Sequence, residues 1–130
     1  MDVMLIIRRF EPEDHEAVWE LHSLALRQVG AHAGPGPWDH DFQDIPGVYF
    51  DAGGEFLVGL IDGRIVAMGA LKRTSETRAE VKRMRVHPDF QGRGFGQKML
   101  EELEVKARFL GYRYLHLDTT TKQPAAQSLF

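Results

Sequence analysis

Apolar and polar residues follow two different periods along this chain, and each period predicts its own kind of element. Residues Leu5 to Arg9 predict a first strand. Glu11-Pro12 then opens a helix, with proline at or near its first position. Apolar residues recur at helical spacing as far as Gly30, where the helix is expected to end: Ala17, Val18, Leu21, Leu24, Ala25 and Val29.

The middle of the chain predicts a loop followed by a hairpin. Ala31 to Gly47 is loop-like, with proline and glycine alternating in Gly34-Pro35-Gly36-Pro37, and it has room for a short helix. Glu55 to Ile61 and Arg64 to Lys72 predict two strands joined at Asp62-Gly63, a dipeptide typical of tight hairpin turns.

The next predicted strand, Arg78 to His87, changes its apolar face partway along. Its apolar positions are odd at first and then even: Ala79 and Val81, followed by Met84 and Val86. A β-bulge near Lys82-Arg83 would absorb the extra residue, and bulges are frequent beside active sites. A polar edge strand with weak alternation is the other interpretation of this pattern.

A glycine-rich junction, Gln91 to Gly96, connects that strand to a long amphipathic helix, Gly94 to Leu110. Each glycine in a helix costs roughly 1 kcal/mol relative to alanine, so the glycines indicate that something approaches the backbone there. Exposed amides, the helix dipole and the charge of Arg93 together favour a phosphate-bearing ligand. A glycine-rich loop without a ligand is the alternative.

Two known phosphate motifs do not fit this junction. A dinucleotide fingerprint needs a glycine where Gln97 stands, and a P-loop needs a Gly-Lys-Ser/Thr end that is absent. The spacing Q-x-x-G-x-G, set by Gln91, Gly94 and Gly96, instead resembles the acyl-CoA signature of the GNAT superfamily of N-acyltransferases.

This resemblance covers element order as well as motif, from Ile6 to Phe130, with a further strand from Tyr114 to Thr119. It implies an α/β (α+β) fold, in which a central mixed, mostly antiparallel sheet is flanked by helices and its central strands splay apart to bind CoA. Residues 1–130 are then one N-acetyltransferase domain. That domain is C-terminally incomplete, because the chain stops one or two turns into a helix that precedes the last two strands of the family.

The resemblance also implies a CoA site. In the family, pantetheine lies beside the bulged strand as a pseudo-strand, an amide freed near the bulge polarises the thioester carbonyl, and the loop amides hold the pyrophosphate. The corresponding residues are Met84, Arg85, Val86, Gln91, Gly92, Arg93, Gly94, Phe95, Gly96, Gln123 and Ala126. Acetyl-CoA is therefore the expected co-substrate, and no metal is expected.

Glu80 is the candidate catalytic base. An amine acceptor is mostly protonated at neutral pH, and only its neutral form attacks a thioester. Glu80 lies eleven residues before Gln91, the spacing at which several members of the family carry a catalytic glutamate. A surface ion pair with Lys82 or Arg78 is the alternative role, and His87 acting through water is a second candidate base.

The acid that protonates the leaving thiolate is not assigned by the sequence. Phe130 occupies the position where many relatives have a tyrosine, and it cannot donate a proton. Tyr112, Tyr114 or a residue from outside the chain is left for this role, although a thiolate leaves without much help.

The acceptor pocket is expected in the early loop, which contains Trp38, His40, Asp41 and Phe42. An aromatic and acidic pocket would suit a cationic amine. Trp38 and Phe42, at i, i+4 spacing, are more typical of core contacts in a short helix than of a binding pocket. The histidines and aspartates of this loop form no pattern that fixes the geometry of a metal.

Composition narrows the remaining possibilities. A net charge of −3, from 16 basic and 19 acidic residues, gives no electrostatic case for binding nucleic acid or an anionic membrane. The absence of cysteine excludes disulfides and a thiol nucleophile and fits a reducing compartment. The apolar start, Val3 to Ile7, is too short for a signal peptide or a membrane span, so a cytoplasmic protein is expected. Whether it forms a homodimer is left open.

These observations favour an acetyl-CoA-dependent N-acetyltransferase that acts on the primary amine of a small molecule or peptide, by direct attack in a ternary complex. The second hypothesis is a catalytically inactive acyl-CoA-binding sensor or assembly module, motivated by Phe130 and the missing strands. The third is a nucleotide-binding domain, against which the glycine spacing argues.

Overall fold

The structure, a computed structural model, describes residues 4–28, 37–117 and 127–129. These residues form a mixed sheet whose strands lie side by side in chain order. The strands are β1 (Ile6–Arg9), β2 (Glu55–Ile61), β3 (Arg64–Arg73), β4 (Arg78–Val86), β5 (Tyr114–Leu117) and β6 (Gln127–Ser128). The α-helices within the described ranges are α1 (His15–Gln28) and α2 (Phe95–Phe109).

Short helical segments connect these elements. Turns of 3₁₀ helix cover Pro12–Asp14, Pro37–Gln43 and Pro88–Phe90, and a π-helical turn covers Pro46–Phe50. Each of them begins with proline, whose fixed φ suits the first helical position and whose missing N–H would have no helical acceptor there. A short helix within the loop-like segment Ala31 to Gly47 is confirmed by Pro37–Gln43. The π-helical turn was not predicted.

Neighbouring strands pair antiparallel except β4 and β5, which pair parallel. The parallel register runs from Arg78↔Tyr114 to Val81↔Leu117, and α2 makes the crossover that a parallel pair requires. A mixed, mostly antiparallel sheet is therefore confirmed. The described part of β5 ends at Leu117, so the parting of the two strands beyond it stays a prediction.

Strand β4 contains the bulge that its sequence pattern predicts. Gly69 of β3 lies opposite both Arg83 and Met84, where regular pairing would place one residue. Arg83 has a φ of 58°, in the left-handed region that few side chains adopt. A Cβ on Gly69 would lie 2.6 Å from Sδ of Met84, so a larger residue there would displace the Met84 side chain. The edge-strand interpretation is wrong, because β4 lies between β3 and β5.

The core has a layer on each face of the sheet. Helix α2 packs on one face, where the buried residues are Leu57, Ala67, Leu71, Ala79, Val81, Met99, Leu103, Ala107, Tyr112, Leu115 and Leu129. Helix α1 and the short helical segments pack on the other, with Phe10, Val18, Leu21, Phe42, Ile45, Tyr49, Phe56, Val58, Met68 and Ala70. Neither α-helix, within its described residues, is long and apolar enough to cross a membrane.

The C-terminal residues differ from the helix that was expected there. Gln127–Ser128 forms a two-residue strand that pairs antiparallel with β5. Backbone groups on the open edge of β5 need hydrogen-bond partners, and a short strand provides them. Of the other predictions, the helix end at Gly30, the glycine-proline run from Gly34, the strand residues after Leu117, and Gln123, Ala126 and Phe130 lie outside the described residues.

Candidate active site

The glycine junction forms an open backbone cradle at the N-terminus of α2. Gly92 and Gly94 have φ values of 77° and 81°, and nothing lies within 4 Å of the position that a Cβ would take on either residue. The first i→i−4 hydrogen bond of α2 joins the Lys98 amide to the Gly94 carbonyl at 3.1 Å. The amides of the preceding turn therefore have no acceptor within the helix and can bind an anion.

Side chains hold the entrance to this cradle in place. Nε2 of Gln91 donates to the carbonyl of Val86 at 3.1 Å, which ties the loop to the end of β4. His87 accepts a hydrogen bond from the Asp89 amide at Nδ1, and its Nε2 lies 3.1 Å from a guanidinium nitrogen of Arg64. Because both ring nitrogens of His87 have close partners, it is a poor candidate for a general base.

Two arginines lie beside the cradle. The guanidinium carbons of Arg64 and Arg93 are 5.9 Å and 5.3 Å from the centre of the Phe90 ring. Cation–π contacts of this kind restrict the arginines without neutralising their charge. The positive potential beside the cradle suits a phosphate group.

The bulged strand leads directly into the cradle. Met84 and Val86 pack toward the α2 layer, and the position of a Cβ on Gly96 would lie 3.7 Å from Cγ2 of Val86. Nη1 of Arg85 donates to the Met84 carbonyl at 3.0 Å. The structure therefore brings the predicted CoA-contacting residues of β4 and of the glycine junction into one continuous stretch.

Glu80 lies on β4, three residues before the bulge. Its side chain is 24% exposed, and its Oε1 lies 3.9 Å from Nζ of Lys82. That separation is longer than a hydrogen bond, so the carboxylate is not held tightly by the lysine. Of the two predicted ion-pair partners, Lys82 is near, whereas Arg78 stacks over the ring of Tyr114 at 5.0 Å.

His116 is a neighbour of Glu80 that the sequence did not indicate. The parallel register places it beside Glu80 on β5, while Lys72 is the partner of Glu80 on β3. Directly paired residues on adjacent strands share a face of the sheet. No motif marks His116, and only the pairing of β4 with β5 reveals where it lies.

A largely buried ion pair connects the bulge to the early loop. The guanidinium of Arg83 donates to both carboxylate oxygens of Asp41, from Nε at 2.8 Å and from Nη2 at 2.7 Å. The Tyr49 hydroxyl donates to the same carboxylate. The side chains of Arg83 and Asp41 are 13% and 12% exposed, so the pair is largely withdrawn from water.

The pKa values of this cluster keep the two charges in place. Burial alone would raise the pKa of Asp41, but the hydrogen bonds from Arg83 and Tyr49 outweigh it and hold that pKa below its ordinary value. Burial opposes the charge of Arg83, yet its bonds to Asp41 raise its pKa further. Burial and the Asp41 charge raise the pKa of Tyr49 well above its usual range, so this hydroxyl keeps its proton.

A cavity of about 260 Å³ opens beside this cluster on the α1 face of the sheet. It is lined by His40, Asp41, Val48, Tyr49, Lys72, Lys82 and Arg83. Of the loop residues expected to form the pocket, His40 and Asp41 line this cavity. The Asp41 charge is compensated by Arg83, and Lys72 and Lys82 add positive charge to the lining. The core interpretation is confirmed for Phe42, which is 2% exposed, while the side chain of Trp38 lies outside the described part of the chain.

Tyr112 is not placed to act as the acid. Its hydroxyl donates to the carbonyl of Gly53, and burial raises its pKa. Its role is to join the end of α2 to the loop before β2. Among the described residues, no group of three or more histidines and carboxylates is arranged to hold a metal ion.

The fold and the cradle together define an α/β domain whose second helix begins with backbone amides that are free to bind an anion. The chain matches the Acetyltransferase (GNAT) family over residues 15–130, and it belongs to that family. It is 32% identical over 114 residues to an acetyltransferase of Pectobacterium atrosepticum, a match that covers 85% of this chain and 73% of that protein.

Solved structures share the fold. A GNAT-family acetyltransferase of Staphylococcus aureus superposes with a TM-score of 0.82 at 18% identity, covering 89% of this chain and 73% of that one. A GNAT-family acetyltransferase of Brucella melitensis, crystallised with acetyl-CoA, superposes with a TM-score of 0.70 at 21% identity. This match covers 92% of this chain and 80% of that one. Three other curated acetyltransferases match this chain at 37% identity. The match covers between 16% and 50% of the length of each of these proteins.

Proposed function

We propose that this protein transfers an acetyl group from acetyl-CoA to a primary amine, with Glu80 as the base. The observation that carries the proposal is the run of backbone from the bulge at Arg83 to the cradle at Gly94. A strand with a bulge and a helix start with free amides lie end to end, which is the arrangement that a long thioester with a pyrophosphate group needs.

In this proposal the pyrophosphate of CoA binds the amides of Gly92 to Gly96, next to Arg93. The pantetheine arm extends along Met84, Arg85 and Val86, so that the thioester comes near the bulge. Gln123 and Ala126 complete the site, as the family resemblance implies. The relative from Brucella melitensis, which was crystallised with acetyl-CoA, supports this choice of co-substrate.

The chemical step is a direct transfer in the ternary complex. Glu80 accepts a proton from the acceptor ammonium, and the neutral nitrogen attacks the carbonyl carbon of the thioester. A C–N bond forms and the C–S bond breaks. The sulfur leaves as the thiolate of CoA, and the second proton that the attacking nitrogen loses passes through solvent to this thiolate. The products are the N-acetyl amine and the CoA thiol, with the first proton on Glu80.

The test is a screen of primary amines with acetyl-CoA, in which free CoA thiol and acetylated product are both measured. We expect thiol release and N-acetyl product in equal amounts for at least one amine. Tight binding of acetyl-CoA with no transfer to any amine would contradict the proposal and favour an acyl-CoA sensor.

A further inference from the structure

We propose that the acceptor carries a carboxylate beside its amine, as an amino acid does, and that Lys72 and Lys82 bind this carboxylate. The inference rests on the proposed function, since it takes the cavity next to Glu80 as the acceptor site. It reverses the expectation of a cationic acceptor.

The two lysines and Glu80 lie on one face of the sheet. Lys72 pairs with Glu80 across β3 and β4, and Ala70 pairs with Lys82. Because side chains two apart on a strand point the same way, these four residues share a face. Ala70 is buried in the α1 layer, so this is the face on which the cavity opens.

The charges on this face do not cancel. Asp41 is paired with Arg83 through two hydrogen bonds and also accepts from Tyr49, so neither charge of that pair is available to attract a ligand. Lys72 and Lys82 also line the cavity, and the carboxylate of Glu80 lies beside it, with its Oε1 3.9 Å from Nζ of Lys82. An acceptor with positive charge alone would be repelled by the two lysines.

An amino acid matches this arrangement. Its ammonium group can approach Glu80, while its carboxylate lies between Lys72 and Lys82. Lys82 is suited to this role because its Nζ is 3.9 Å from Glu80, beyond hydrogen-bond distance, and its side chain is 29% exposed. The cavity of about 260 Å³ is small, which fits a single amino acid better than a folded protein partner.

The experiment compares matched acceptors. Each proteinogenic amino acid is assayed beside its α-amide and its decarboxylated amine, with acetyl-CoA held constant. We expect kcat/KM for the best amino acid to exceed that of its amide by about tenfold, since a charged hydrogen-bond partner is lost. The same comparison is made with Lys82→Gln and Lys72→Gln, and with Lys106→Gln in the last turn of α2 as the matched control.

The lysine variants separate binding of the carboxylate from general loss of activity. Lys82→Gln should raise KM for the amino acid by about tenfold, leave its kcat nearly unchanged, and leave the kinetics with the amide unchanged. Lys72→Gln should act in the same direction. Lys106→Gln should leave kcat and KM unchanged for both the amino acid and its amide. The inference would be overturned if amino acids and their amides had equal kcat/KM in the wild type. It would also be overturned if Lys82→Gln lowered kcat/KM equally for both acceptors.

Failure of the proposed function would give a different result. If no acceptor is acetylated although acetyl-CoA binds, the proposed function is wrong. The same amino acids and amides are then compared as ligands of the acetyl-CoA complex by thermal denaturation. A rise in Tm that needs the carboxylate and disappears in Lys82→Gln would uphold the carboxylate site, and no such rise would overturn it.

Discussion

Arg83 and Asp41 join segments that are 42 residues apart, through hydrogen bonds of 2.8 Å and 2.7 Å. The bulge in β4 turns Arg83 toward the α1 face, and the 3₁₀ helix Pro37–Gln43 brings Asp41 above it. The guanidinium also lies 5.2 Å from the centre of the Phe42 ring. This pair fixes the early loop on the sheet and forms one wall of the candidate acceptor cavity.

Asp41→Asn should destabilise the fold, because it leaves the largely buried guanidinium of Arg83 without a countercharge. We expect the free energy of unfolding in urea to fall by about 3 kcal/mol at neutral pH. The control is Asp51→Asn, which alters an exposed carboxylate at the end of the π-helical turn. It should change the free energy of unfolding by less than about 0.5 kcal/mol. Equal effects of the two substitutions would show that the ion pair does not stabilise the loop.

The cost of Asp41→Asn should depend on pH. The folded protein holds the pKa of Asp41 below the unfolded value of about 3.9, so its stabilising charge is fully present above that pH and is lost as pH falls through the folded pKa. The difference in unfolding free energy between wild type and variant should therefore be constant near neutral pH and narrow below about pH 4. A difference that stays unchanged down to pH 2 would contradict this account.

Tyr112→Phe should affect stability and not catalysis. The Tyr112 hydroxyl donates to the carbonyl of Gly53, and losing this bond should cost about 1 kcal/mol of unfolding free energy. The kcat for the best amine should stay unchanged. Tyr114→Phe is the stability control, because Tyr114 is an exposed residue (37%). A large fall in kcat for Tyr112→Phe would restore this residue as the acid.

Glu80→Gln should lower turnover in a manner that depends on pH. A positioned base contributes a factor of roughly 10² to 10⁴, so we expect a loss of about 10² or more in kcat/KM at pH 7. The loss should shrink toward pH 10, because more of the amine is then neutral in solution. Glu76→Gln, in the exposed turn before β4, should behave as wild type. Wild-type turnover of Glu80→Gln at every pH would exclude Glu80 as the base.

The sequence could predict those features that neighbouring residues decide. The hairpin at Asp62-Gly63 follows from two residues that accept positive φ, with observed values of 50° and 80°. The bulge at Arg83 follows from a shift of the apolar face within one strand. The helix that begins after Gly94 follows from the helical spacing of its apolar residues and from the glycines at its start. It is observed at Phe95–Phe109.

Features that depend on distant partners could not be predicted in this way. The sequence predicts Asp41 as an acidic residue of the pocket, because its neighbours along the chain do not show that Arg83 neutralises it. His116 comes beside Glu80 only through the parallel pairing of β4 and β5. Pro46–Phe50 has no period long enough to indicate a helix, and its apolar residues join a core whose other members lie far along the chain.

The most direct test of the account is the affinity for acetyl-CoA of two variants at one position. Gly94 has a φ of 81°, which asparagine and aspartate tolerate better than other side chains, so Gly94→Asp and Gly94→Asn differ mainly in charge. Calorimetric titration should show that wild type binds acetyl-CoA and that the aspartate variant binds at least about tenfold more weakly than the asparagine variant, because its carboxylate repels the pyrophosphate. Equal affinities of the two variants, or no binding by wild type, would contradict the assignment of the cradle as the CoA site.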